Sequence, residues 1–234
     1  MKFHSAIFTS AAAICVASCL AFSAFAQGLP KASKPEDVGF SSERLKRIAR
    51  NVGPIQLIYG GKAHPRDDGG KRIIRQVFEG AQSASDVIRT VYVENYDMYW
   101  GKLITSGVDV WLNNPLRPQE ASGTSGMKAA MNGVPSFSVV DGWWAEGLIE
   151  GITGWAIGNT EINEDPVSEL ATLYDKLERE ILPMFYGRPQ RYTEVMRSAI
   201  ALNGSFFNTQ RMVEQYVRNA YFPDDTQVLE TVGD

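Results

Sequence analysis

The sequence predicts an α/β fold, a Rossmann-like doubly wound parallel sheet followed by a helical C-terminal third. Three observations carry this. From Ile55 to Val140, apolar runs of strand length alternate with stretches of helical period. The bends rich in glycine, proline and hydroxyl residues fall at the ends of the strand-like runs, where open α/β sheets bind ligands. The chain has 234 residues, 44% of them hydrophobic and 11% aromatic, enough for a buried core.

Each element has its own signal. Ile55-Gln56-Leu57-Ile58-Tyr59 reads as a strand that stops at Gly60-Gly61. Residues 69–80 read as a helix with Ile73, Ile74, Val77 and Phe78 on one face. Thr90 to Val93 is a second strand and Tyr96 to Thr105 a second helix. Val108 to Leu112 is a third strand, and Ser125 to Asn132 a third helix that Gly133 can stop. Val134 to Val140 is a fourth strand. Further on, Val167 to Ile181 places Leu170, Leu173, Leu177 and Ile181 at helical spacing, and Pro183 is expected to end that helix. Tyr192 to Leu202 and Asn208 to Tyr221 follow, with Asn208 as N-cap. Met196, Met212, Val213, Tyr216 and Val217 are expected in the core.

The ends differ from this pattern. Lys2 and His4 precede an apolar stretch, Ala6 to Phe25, that closes on Ala24-Phe25-Ala26. A charged start, an apolar run and an A-x-A site read as a secretory signal peptide over residues 1–26. A membrane anchor and a lipoprotein site at Val16-Ala17-Ser18-Cys19 are the alternatives. Both cysteines, Cys15 and Cys19, lie here, so a mature chain would have no thiol chemistry. Residues 27–47 read as a linker, 48–225 as the globular domain and 226–234 as a tail. The net charge is −4. No basic block appears, which argues against nucleic-acid binding.

The motif with the most chemistry is Glu120-Ala121-Ser122-Gly123-Thr124-Ser125-Gly126-Met127-Lys128. Free N–H groups at a helix start bind anions, and glycines let an anion come close. A lysine in the first turn of that helix has its amine beside the anion. The arrangement suits a phosphate-bearing aldehyde cofactor held covalently. A bare turn and cap is the simpler reading of the same residues.

The longer run GVDVWLNNPLRPQEASGTSGMKAAMNGVPSFSVVDGWWAEG, residues 107–147, closely resembles the cofactor segment of the alpha-glucan phosphorylases, in its short bacterial and archaeal form. The resemblance extends from about Ile48 to about Asp225. It implies the later part of the second domain of a glycosyltransferase-B type enzyme, N-terminally truncated, without the first domain and the Arg- and Lys-rich segment that pairs with the phosphates. It implies pyridoxal 5'-phosphate as a Schiff base on Lys128, its phosphate held by Gly123, Thr124 and Ser125, with Tyr96 near the cofactor. Glu120, Ser122 and Gly123 match positions that hold hydroxyls of the terminal glucose. The substrates implied are an alpha-1,4-glucan and inorganic phosphate, the product is glucose 1-phosphate, and no metal is called for. The resemblance admits a homodimer and implies a cytoplasmic enzyme. That conflicts with the secretory leader and raises a gene fusion.

His64, in Lys62-Ala63-His64-Pro65, reads as a loop histidine supporting the strand end. Trp143 and Trp144 suit either sugar stacking or buried packing. Residues 27–42 resemble the mature start of class C beta-lactamase-like hydrolases, and Ser125 to Lys128 spells S-x-x-K. The partner motifs S-D-N, Y-x-N and K-T-G are missing, which leaves a serine hydrolase without its machinery. A glycogen-synthase-like transferase needs no such lysine. An inert or binding-only fragment remains an alternative.

Overall fold

A computed structural model describes residues 12–17, 42–159 and 166–222. The remaining leader residues, the linker up to residue 41 and the tail at 226–234 lie outside the described residues. The expected α/β fold is present. Six parallel strands form one sheet in the order β3-β2-β1-β4-β5-β6. They are β1 (Ala12–Ala17), β2 (Ile55–Gly60), β3 (Arg89–Val93), β4 (Val110–Asn113), β5 (Ser136–Val139) and β6 (Gly154–Ile157). This order reverses direction between β1 and β4, which makes their carboxyl ends the ligand crevice of a doubly wound sheet.

Strand alternation divides the core. Ile55, Leu57 and Tyr59 of β2 point to one face with Val110, Phe137, Val139, Trp155 and Ile157. That face is covered by α1 (Ser42–Asn51), whose Leu45 and Ile48 are buried, and by the C-terminal helices. The boundary placed at residue 48 therefore falls inside a helix. On the other face, Trp111 of β4 meets Ile104 of α3 (Met98–Gly107) and Ala129 of α4 (Thr124–Met131). Between β2 and β3 runs α2 (Asp68–Ser83), with Asp67 accepting from the Gly70 N–H at 2.9 Å as its cap.

Two expectations about the C-terminal third need correction. Pro183 does not end the helix. The chain runs through α6 (Pro166–Lys176) and a π-helical turn at Leu177–Ile181 into α7 (Leu182–Gly187). Proline is tolerated there because it occupies the first turn of a new segment, where its N–H is not needed. Then come α8 (Pro189–Ser198), a π turn at Ala199–Gly204, and α9 (Thr209–Tyr216), capped by Asn208 as expected through a 2.9 Å bond from the Arg211 N–H. Met196 packs on the core. Met212, Val213, Tyr216 and Val217 do not: all are exposed, because no described element covers that face of α9.

Two phenols sit deep in the larger cluster. Tyr192 donates to the Asp109 carbonyl at 2.6 Å, and burial pushes its pKa, and that of Tyr59, well up from the ordinary value. A raised folded-state pKa gives stability that is full below the unfolded value and is lost as pH rises past it. The fold should therefore weaken above about pH 10, where unfolded tyrosine ionises. An alkaline titration followed by phenolate absorbance should show both residues ionising only as the chain unfolds.

Candidate functional site at the carboxyl ends of the strands

The site grows from the end of β4. Parallel register sets Asn113 of β4 between Ala17 of β1 and Ser138 of β5. Beyond it, residues 114–123 turn across the strand ends. Arg117 fixes this loop by pairing with Glu169 at 2.9 Å and donating to the Asn159 carbonyl at 2.6 Å.

The loop is then sewn to the one after β5. The Glu120 N–H donates to the Asp141 carboxylate at 3.0 Å, and the Trp143 N–H donates to the Ser122 carbonyl at 2.8 Å. Gly142, at φ +53°, allows the close approach: a Cβ there would stand 2.6 Å from the Ser122 carbonyl oxygen. Asp141, Gly142 and Trp143 thus hold Glu120 and Ser122 in place, a role the sequence reading did not assign. The Asp-Gly pair after an apolar strand was the available signal.

Gly123 starts α4 in the left-handed conformation (φ +86°, ψ +47°), and no side chain caps the helix. Its amino end therefore keeps unfilled capping capacity and its partial positive charge. Lys128 was expected in the first turn. It is the fifth residue, because the helix begins at Thr124, immediately after the Gly123 bend. Helical spacing puts it on the same face as Thr124 and Ser125, and side chains lean toward the amino end. Lys128 is exposed, and none of the described ion pairs holds its amine. Glu120, Ser122 and Ser125 are half-buried, Thr124 is exposed and Gly123 is buried.

Tyr96 arrives by packing. It follows β3, after Asn95 at φ +53°, and its ring lies where a Cβ on Gly60 would come within 2.9 Å. It packs on the cluster that contains Ala129, next to Lys128 in α4. His64 stays out of the group: it is exposed after β2, and its Nδ1 accepts from the Arg66 N–H at 3.1 Å, a loop-supporting role as expected. Trp143 and Trp144 are 5% and 1% exposed, so neither offers a face to a sugar. Trp143 instead wedges among Gly123, Gly126 and Gly147. An open cavity of about 750 Å³ lies elsewhere, at the amino end of β3 between Arg75, Phe78 and Arg89.

Comparison with known proteins places the chain in a family. Residues 41–149 match the carbohydrate phosphorylase family. The maltodextrin phosphorylase of Thermococcus litoralis is 46% identical over 184 residues, covering 76% of this chain and 22% of that protein. The glycogen phosphorylase of Aquifex aeolicus is 40% identical over 204 residues, covering 84% of this chain and 29% of its own. That of Mycobacterium tuberculosis is 43% identical over 189 residues, covering 77% and 22%. The chain therefore spans less than a third of the length of these relatives. Identity at this level over three quarters of the chain, with the family match at its centre, makes this chain a partial member of the alpha-glucan phosphorylase family.

Proposed function

We propose that this chain carries the cofactor-holding part of an alpha-glucan phosphorylase site, which cleaves the terminal alpha-1,4 bond of a glucan with inorganic phosphate to give glucose 1-phosphate. The observation that supports it most is the uncapped, glycine-led start of α4 at the strand-order reversal, with Lys128 one turn along the same helix face. Pyridoxal 5'-phosphate fits these residues. A phosphate suits the amino end of α4, where the absence of a side-chain cap leaves room for anion contacts. Gly123 lets it approach the backbone, and the Thr124 and Ser125 hydroxyls add donors. Lys128 supplies the amine that holds the cofactor covalently.

When bound, the cofactor would supply a phosphate group able to exchange a proton with the substrate phosphate. The chain's own residues orient and position. Glu120 accepts hydrogen bonds from hydroxyls of the terminal glucose, and Ser122 and the Gly123 backbone complete that wall. Asp141 keeps Glu120 in register by holding its N–H. Tyr96 closes the side toward β2. Catalysis as a whole also needs cations for two adjacent phosphates, which repel at close range. The reading therefore assigns cofactor and sugar binding to the residues named here.

The test is reconstitution with pyridoxal phosphate, borohydride reduction and mapping of the modified peptide. A reduced adduct on Lys128, lost in Lys128→Ala with the fold intact by circular dichroism, is the expected result. No adduct in the folded chain, or the same adduct yield after Lys128→Ala, overturns the assignment. An adduct without phosphorolysis of maltodextrin identifies a binding-only fragment.

A further inference from the structure

The apolar run that reads as an export leader also supplies the middle of the sheet. Ala12–Ala17 pairs in parallel with β2 over five positions, Ala12 opposite Ile55 through Val16 opposite Tyr59. It pairs with β4 over four, Ile14 opposite Val110 through Ala17 opposite Asn113. In the strand order, β2 and β4 touch only through it. Without β1, the sheet splits into β3-β2 and β4-β5-β6, with two facing rows of unpaired backbone groups between them. An unpaired buried N–H or C=O is costly, so the loss of nine ladder positions cannot be absorbed by a fold of ordinary stability. The split would fall at the switch point, beside the Asn113 end of β4 from which the Lys128 loop departs.

We infer that residues 12–17 are retained as a structural strand of the folded protein, and that removal of residues 1–26 as a leader and folding of this domain exclude one another. The composition makes both roles available, because a short continuous apolar run is equally a leader core and a fully buried parallel strand. The inference is independent of the cofactor assignment, since it concerns the backbone ladder alone.

Hydrogen exchange of the full chain decides it. Amides 13–17 should exchange within about tenfold of those of β2, and at least 10³-fold slower than in an unstructured peptide. Exchange of residues 13–17 at the free-peptide rate, while β2 and β4 stay protected, overturns the inference. Ile14→Pro gives an independent reading, because proline removes one ladder donor from an interior strand. It should lower the urea midpoint and raise exchange in β2 and β4 together. An unchanged midpoint also overturns the inference.

Discussion

Trp155→Ala should remove about 3–5 kcal/mol of stability, the usual cost of emptying a buried tryptophan site. The indole is 0% exposed at the centre of the larger cluster. It stacks on Tyr192 with ring centroids 6.2 Å apart and planes 21° apart. Its N–H donates to Glu180 at 2.8 Å, tying β6 to the π turn that follows α6. Alanine leaves a cavity between strand and helix and takes the partner from a half-buried carboxylate, so both terms have the same sign. Typical domains have about 5–15 kcal/mol in hand, so the variant should be near or past its unfolding midpoint under mild denaturant. Urea titration followed by circular dichroism measures it. A drop below about 1 kcal/mol would mean that the cluster repacks freely and that Trp155 does not anchor β6.

The second large effect is at the site and goes against helix propensity. In an exposed helix, Gly→Ala gains about 1 kcal/mol. At Gly126 a Cβ would stand 2.8 Å from Nε1 of Trp143 and 3.0 Å from its Cζ2. That indole is buried and also fills the space beside Gly123 and Gly147, so it has nowhere to move. Overpacking costs about 1–3 kcal/mol, which exceeds the propensity gain. Gly126→Ala should therefore destabilise by up to about 2 kcal/mol. It should also lower the yield of the Lys128 adduct several-fold by pushing the start of α4 away from the 120–123 loop. Gly107→Ala is the control: nothing lies within 4 Å of its Cβ position, so it should be neutral or mildly stabilising. Equal effects of the two substitutions would remove Trp143 from the account of the site.

Much of this arrangement was legible in the sequence because it rests on local rules. Apolar runs of strand length marked β2, with its end at Gly60, and β3 to β5 to within a few residues. Asn208 announced its own cap. The segment 120–128 stood out by its bends and its single lysine. What escaped was non-local. Gly154–Ile157 is four residues long and buried throughout, so it has no alternation to detect. Ala12–Ala17 was read for its apolar run, and only the edges of β2 and β4 make that run a strand. The apolar stripe of α9 signals that a face is suited to burial, but not which partner is at hand. Lys128 was placed in the first turn, and not just past it, because the left-handed turn at Gly123, which sets where the helix begins, is a matter of backbone angle.

The stitching of residues 120–123 to residues 141–143 has a mechanical consequence. Two backbone-anchored hydrogen bonds and a wedged indole join the strand-end walls on β4 and β5 into one stiff bracket. A substitution at Asp141 should be felt at Glu120 as strongly as one in its own loop, and double-mutant cycles across the seam should be far from additive. On the proposed function, adaptation to a ligand falls to parts outside the bracket, which serves as the fixed reference against which they align.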